Sequence, residues 1–324
     1  MGFLNFCCSM QEMLVSIVIP VFNSAETIRN VVCDCITKFC GIYELEVILV
    51  NDCSTDESHD VCKSLCDDFA ETVKYLKLAK NFGEHNAVMA GLNFAKGDYI
   101  VTMDDDGQNP PSEALNLLQK ALDSKADVAI SKYSSKKHSP VRNLMSKIND
   151  IVASVMLKKP RGLYLSSFRV ISKKVVHEVI KYDLPFPYID GLILRASSNI
   201  ATELIIHEPR SHGKSGYTLR KLFKLWLNMF TSFSILPLRI ATVVGMLFSV
   251  FGFAFGVFTI FERILNPNLP VGWATIAVLI SFLGGVQLVA LGVVGEYLGR
   301  IFLGANKQPQ FIIEHKRNVE HRKL

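Results

Sequence analysis

Along the first 130 residues, short β-branched apolar runs alternate with segments whose apolar positions return every third or fourth residue. The runs at residues 15–22 (VSIVIPVF), 46–50 (EVILV), 73–78, 99–103 (YIVTM) and 127–131 (DVAIS) predict five strands. The intervening segments predict four helices. One covers residues 25–39, and one is capped by Ser54 or Thr55, with Asp56 and Glu57 in its first turn, and runs to residue 69. A third covers 84–95 and is closed by Gly97; the last starts at Pro110-Pro111 and ends near 122. Strands and helices alternating at this spacing imply an α/β fold built on a mostly parallel sheet. Ligands of such sheets gather outside the carboxyl ends of the strands.

The pattern changes after residue 216. In residues 217–233, Leu219, Leu222, Trp226, Met229 and Phe233 follow the helical step, with Arg220, Lys221 and Lys224 placed elsewhere. That fits a basic amphipathic helix in a membrane interface; a helix packed on a soluble core would carry the same pattern. Residues 240–261 and 271–295 contain no charge. Twenty-two helical residues extend about 33 Å, the thickness of a bilayer's hydrocarbon core. Basic residues flank the pair on both outer sides (Arg239 before, Arg300 and Lys307 after), so the expectation is a membrane hairpin with both ends cytoplasmic. Gly245, Gly252, Gly256, Gly284, Gly285 and Gly292 are expected to let the two helices approach closely. The domain reading is a tail (1–14), a sheet domain (15–216), an interfacial helix (217–234), the hairpin (235–300) and a cytoplasmic tail (301–324).

Composition narrows the classes. The 324 residues are 49% hydrophobic with only 20 Gly and 12 Pro, which excludes disordered and fibrous chains. A net charge of +5 beside membrane-length segments suggests anionic lipid or phosphate as partner rather than nucleic acid. All eight cysteines precede residue 67 in a domain too large to need stapling, and the first basic residue is Arg29, so no basic signal-peptide region is visible. Reduced cytosolic thiols are expected.

The most informative chemistry lies in Asp104-Asp105-Asp106-Gly107-Gln108. In an extended chain Asp104 and Asp106 project together while Asp105 points away. Two converging carboxylates at a strand end suit a hard divalent cation, with Gln108 as a third oxygen and a diphosphate bridged by the metal. An acidic turn capping the next helix would use the same residues. Asp52 ends the neighbouring strand, where it can accept hydrogen bonds from a base or ribose, and Phe22 ends the first strand as a wall for the base.

The segments SIVIPVFN, VNDCSTDES, KNFGEHNAVMAGLNFAKGDYIVTMDDDGQNPP, SFRVISKKV, RSHGKSGYTLRKL, SILPLRIATVVG and GEYLGRIF together resemble the polyprenyl-phosphate branch of the family 2 glycosyltransferases. The resemblance runs from residue 15 to about 313 and is nearest to members with two C-terminal membrane helices. It implies a GT-A-type nucleotide-sugar-binding sheet followed by an amphipathic helix and a two-helix transmembrane hairpin. It implies that Pro20, Phe22, Val50 and Asp52 hold the nucleoside, with Glu26 standing in for a family Glu at Ser24, and that Asp105 and Arg210 also contact the nucleotide. Asp104, Asp106 and Gln108 would hold Mg²⁺ or Mn²⁺ and the diphosphate. Lys132, Arg142, Ser146 and Arg169 would grip the acceptor phosphate, with Arg210, Gly213 and Ser215 as a lid over the diphosphate.

The expected activity is inverting transfer of a sugar from a nucleotide-diphosphate donor, UDP favoured, to a polyprenyl phosphate at the cytoplasmic membrane face. Asp104, Asp106, Lys132 and Arg142 are the expected catalytic set. The lipid phosphate is already an anion, so positioning and charge neutralisation dominate over base catalysis. A homo-oligomer is consistent with the resemblance. The competing readings are a family 2 enzyme with a non-lipid acceptor and an inactive membrane scaffold. His85 and His207 are expected to be structural, and His212 lies in the lid segment.

Overall fold

The computed structural model describes residues 13–133, 163–205, 236–265 and 272–319. These fall into two compact units, one comprising the sheet and the C-terminal segment from Gln308, the other Thr218–Lys307. The expected interfacial helix at 217–234 lies outside the described residues, as do Arg142, Ser146, His207, Arg210, His212, Gly213 and Ser215.

The first unit is built on β1 (Leu14–Val21), α1 (Ile28–Phe39), β2 (Glu44–Asn51), α2 (Ser58–Asp68), β3 (Val73–Leu78), α3 (Glu84–Phe94), β4 (Tyr99–Thr102) and α4 (Pro111–Asp123). It continues with β5 (Val128–Tyr133), β6 (Arg169–Ser172), α5 (Lys173–Val179), α6 (Ile189–Ala196), β7 (Ile200–Ile205) and β8 (Ile313–Arg317). One eight-stranded sheet has the order β7-β5-β6-β4-β1-β2-β3-β8. The pairs β1–β2, β1–β4, β2–β3 and β5–β7 are parallel, while β6 runs against β4 and β5, and β8 against β3. The five strands and four helices anticipated from the apolar spacing are all present. Sequence reading left out β6, β7 and β8, which are short or half-exposed and carry no uninterrupted apolar run.

Continuous apolar runs mark strands covered on both faces. Ile17, Ile19, Val47 and Leu49 face the layer made by α1, α2 and α4, with Phe39, Leu65 and Leu117 among the buried partners. The alternate positions Val18 and Val50 face α3, where Gly91 lets the helix sit directly on them: a Cβ there would meet Val18 Cγ1 at 2.3 Å. Gly97 is equally confined, since a Cβ would lie 2.6 Å from the Ser16 backbone nitrogen.

The C-terminal segment, expected as a tail, returns to the sheet edge. Beside the β3–β8 pairing, Arg317 pairs with Asp67 at 2.5 Å and Lys77 with Glu314 at 2.7 Å. Asn318 Nδ2 donates to the carbonyls of Cys66 and Val73, and buried Gln310 donates to those of Leu184 and Tyr182. An edge strand that would otherwise expose unpaired backbone is thereby closed.

The second unit contains α7 (Leu236–Leu265) and α8 (Trp273–Ala305), both long and apolar enough to cross a membrane. They meet through Phe248 and Phe282, whose rings lie 5.4 Å apart edge to face. The expected glycine seam is corrected: among the described residues, nothing lies within 4 Å of where a Cβ would stand at any of the six glycines named above. Helix α8 runs past the expected end at 295, carrying Glu296 and Arg300, which pair at 3.0 Å one turn apart.

Gly97→Ala is expected to lower the thermal unfolding midpoint of the purified protein by overpacking, at a cost of roughly 1–3 kcal/mol. Gly245→Ala, where the added methyl meets nothing, should leave that midpoint unmoved.

Candidate active site

Strands β1, β2, β4 and β5 all point the same way, so their carboxyl ends share one edge of the sheet, and the turn entering antiparallel β6 arrives there too. This edge collects Phe22, Asp52, Asp104–Asp106, Lys132 and Ser166-Ser167.

At the end of β1, Phe22 is 47% exposed and Pro20 half-buried, leaving an aromatic face open beside the site. The loop that follows is tied to two others. Asn23, in the left-handed region at φ 55°, accepts from the Thr55 N–H at 2.8 Å, while its own N–H donates to Ser54 Oγ at 3.0 Å. Ser54, expected to cap α2, is instead part of this inter-loop contact. Glu26 is exposed on the same loop.

Asp105 lies in the turn after β4 and is bonded to the loop after β1. Its Oδ2 accepts from the Phe22 N–H at 2.9 Å and from Ser24 Oγ, and Thr27 Oγ1 donates to its carbonyl at 2.7 Å. The role expected on the nucleotide is thus accompanied by a structural one: Asp105 fastens the β1 loop to the acidic turn. The family's Glu is replaced by Ser24, and that hydroxyl is one of the donors.

Asp52 is buried at the end of β2, with Oδ1 accepting from the Phe82 N–H at 2.7 Å and Oδ2 from the Gly83 N–H at 2.8 Å. Gly83 takes φ 93°, a conformation that disfavours a side chain. Asp52 therefore shapes the turn into α3, and burial raises its carboxyl pKa against the lowering effect of those two bonds. Val50, expected at the nucleoside, is fully buried under Gly91 of α3, so its side chain cannot reach a ligand.

Asp104 lies just beyond β4. Its Oδ2 accepts from Ser167 Oγ at 2.9 Å and from Asn109 Nδ2 at 3.4 Å. Burial, then the negative charge of Glu84, then those of Asp106 and Asp105 push its carboxyl pKa up to about 7, against the opposing pull of Ser167. Asp106 Oδ1 accepts the Gln108 N–H at 3.1 Å, a turn that Gly107 permits at φ 72°. Glu84, the first residue of α3, escaped sequence reading; the cue was its place directly after the Gly83 turn, on the same sheet edge as Asp52. Ser167 was likewise given no role from the sequence.

Lys132 is exposed near the end of β5, on the same edge. Arg169 is a correction. Expected on the acceptor phosphate, it is 2% exposed, its guanidinium paired with Asp190 and its Nε donating to Thr102 Oγ1 at 3.3 Å. A buried cation whose charge is met by a carboxylate is not offered to a ligand. His85 packs edge to face on Tyr188 at 5.3 Å, with burial lowering its pKa, in keeping with a structural role. Of the described cysteines, all are free; Cys35, Cys62 and Cys66 are buried, and Cys40 is exposed.

The donor set fits a hard divalent cation. Burial raises the Asp104 carboxyl first, and the negative charges of Glu84, Asp106 and Asp105 raise it further, a condition that a bound cation would relieve. Among the described residues, no three His, Cys, Asp or Glu side chains form a ligand cage. Mg²⁺-type sites use one or two carboxylates and complete their shell with substrate phosphates and water, so Asp104 and Asp106 are the residues that would hold such an ion.

The chain was compared with known proteins. The family model described as Glycosyl transferase family 2 matches residues 16–180, and that of the GtrB C-terminal hairpin matches residues 236–301. Undecaprenyl-phosphate 4-deoxy-4-formamido-L-arabinose transferase of Yersinia pestis bv. Antiqua (strain Angola) is 30% identical over 306 residues, covering 93% of this chain and 92% of that protein. The enzyme of the same name from Serratia proteamaculans (strain 568) is also 30% identical, covering 93% of each. Among solved structures, glucosyl-3-phosphoglycerate synthase from Mycobacterium tuberculosis, in complex with Mn²⁺, UDP and phosphoglyceric acid, is 18% identical with a TM-score of 0.49. That match covers 66% of this chain and 74% of the other.

Two outcomes are expected of this geometry. Arg169→Ala, which strands Asp190 in the interior, should cost about 3–5 kcal/mol in thermal or denaturant unfolding, and Arg169→Met with Asp190→Leu should recover much of it. The folded, metal-free protein retains a proton on Asp104 that the unfolded chain releases near its ordinary value of 3.8. This carboxyl therefore favours folding most below that pH, and the advantage falls as pH rises to about 7. Asp104→Asn should flatten the decline in the unfolding midpoint across that window.

Proposed function

This chain belongs to glycosyl transferase family 2, and on that footing we propose that it moves a sugar from a UDP-sugar to a polyprenyl phosphate at the cytoplasmic membrane face. The acceptor reading is supported by the names of relatives that cover nearly the whole chain, and the membrane reading by the matched hairpin and the two apolar helices. The observation that carries the reaction is the placement of Asp104 and Asp106 at the carboxyl edge of the sheet, where burial and then the charges of Glu84, Asp106 and Asp105 raise the Asp104 carboxyl.

In this reading the base and ribose lie between exposed Phe22 and the Asp52 turn. Asp104 and Asp106, with Gln108, hold Mg²⁺ or Mn²⁺, which supplies Lewis-acid neutralisation of the diphosphate. Lys132 and Arg142, with Ser146, draw the lipid phosphate to the opposite side of the anomeric carbon. A phosphate oxygen forms the new bond to that carbon as the bond to the diphosphate breaks. The nucleoside diphosphate leaves with the electron pair, the configuration inverts, and no proton has to be removed from the acceptor. Arg210, Gly213 and Ser215 close over the diphosphate. The domain division at 15–216, 217–234, 235–300 and 301–324 belongs to the same proposal, amended by β8, and so does self-association of the chain.

Transfer is tested by incubating reconstituted protein with undecaprenyl phosphate and a panel of labelled nucleotide sugars, with and without EDTA. Label is expected in the organic phase for one donor and should disappear on chelation; no extractable label from any donor would refute the lipid acceptor. Asp106→Ala should lower turnover by about 10²–10³-fold while leaving the protein folded. Because Asp104 competes for a proton up to about pH 7, Mn²⁺ affinity should fall as pH drops below that value and level off above it, as read by titration calorimetry with UDP present.

A further inference from the structure

Asp104 carries the greatest electrostatic burden in the site, yet its direct hydrogen-bond partners are neutral. Of the two donors on Oδ2, the Ser167 hydroxyl at 2.9 Å is well placed and the Asn109 amide at 3.4 Å is at the weak limit. Ser167 is itself held on both sides. Its carbonyl accepts from Thr102 Oγ1 at 2.6 Å, and the same Thr102 oxygen accepts from Arg169 Nε, whose guanidinium is paired with Asp190. Thr102 and Arg169 are register partners across β4 and β6. The preceding Ser166 Oγ accepts from Ser131 Oγ of β5 at 2.8 Å and from the Phe168 N–H at 3.3 Å. Ser167 thus stands on a turn pinned to β4 and β5, half-buried, with its hydroxyl delivered to the end of β4.

We propose that Ser167 is a positioning residue for the transfer reaction: by holding Oδ2 of Asp104, it keeps that carboxylate from swinging away from its like-charged neighbours and leaves Oδ1 for the divalent cation of the donor diphosphate. This rests on the reading that Asp104 holds the metal. A hydroxyl suits the task because it fixes the carboxylate while leaving its negative charge in place. A lysine or arginine there would orient Asp104 equally well and would cancel the charge that attracts the cation. The buried Arg169–Asp190 pair, which the acceptor phosphate does not explain, then has a purpose: it holds the strand pair that presents Ser167.

The test uses the full-length protein in detergent, with free Mn²⁺ followed by electron paramagnetic resonance in the presence of UDP. Ser167→Ala is expected to weaken Mn²⁺ binding about tenfold, and Ser167→Thr, which keeps the hydroxyl, to restore it to within about threefold of the unchanged protein. UDP binding without metal should be the same in all three proteins. In the transfer assay the Mn²⁺ concentration giving half-maximal rate should rise more than kcat falls. Unchanged Mn²⁺ affinity in Ser167→Ala overturns the proposal, and so does parallel loss of metal-free UDP binding, which would mark Ser167 as merely structural. Asp104→Asn separates the two levels. If it binds Mn²⁺ normally, the metal reading and this inference fail together; if it loses Mn²⁺ while Ser167→Ala keeps it, only the role of Ser167 fails.

Discussion

Like charges held close together repel unless donors or cations are fixed among them, and at the carboxyl edge of this sheet the half-buried Asp104 feels the negative charges of Glu84, Asp106 and Asp105. The surrounding structure is arranged to tolerate that repulsion without neutralising it. Asp105 is bonded to the β1 loop, accepting from the Phe22 N–H and the Ser24 hydroxyl, while Asp106 accepts the Gln108 N–H. Asp104 has the Ser167 hydroxyl and still sits near neutrality in its proton affinity. In the proposed reading, a divalent cation bound here would relieve a penalty already present in the folded state, so its affinity would not depend on a complete cage of protein ligands.

The rigidity needed for that comes from cross-links between loops more than from within each loop. The loop after β1 is bonded to the loop after β2 through Asn23, Ser54 and Thr55, and to the acidic turn through Asp105. Asp52 holds the turn into α3, and so fixes where Glu84 begins. On the far side, the Arg169–Asp190 pair and Thr102 secure the entry to β6. Each loop has little order of its own. Their mutual contacts give the edge a single shape, consistent with a reaction in which positioning and electrostatics do most of the catalysis.

The apolar runs and their spacing were enough to locate β1 to β5 and α1 to α4, because a strand buried on both faces and an amphipathic helix each impose a period on the sequence. Alternation along an extended chain led to the expectation that Asp104 and Asp106 project together; Asp105 is bonded to the β1 loop instead. Val50 and Arg169 were misplaced for a common reason: strand-end position says which edge a residue occupies and nothing about which face it turns to or whether a distant carboxylate has claimed its charge. Glu84 and Ser167 were given no role because their partners are 20 and 63 positions away in the chain. The glycines of the apolar helices invited a close seam, whereas the described contact between the two helices is the ring pair Phe248–Phe282.

The sequence by itself determined the α/β alternation, the acidic turn, the two long apolar helices and the family, since each is written in local period, local composition or contiguous motif. Only the tertiary structure decided that the C-terminal segment closes the β3 edge, that Arg169 belongs to Asp190, and that a serine entering β6 holds the first carboxylate of the acidic turn. Those outcomes depend on which strands become neighbours. Strand adjacency is set by the summed packing of the whole sheet and leaves no signature in any single stretch of the chain.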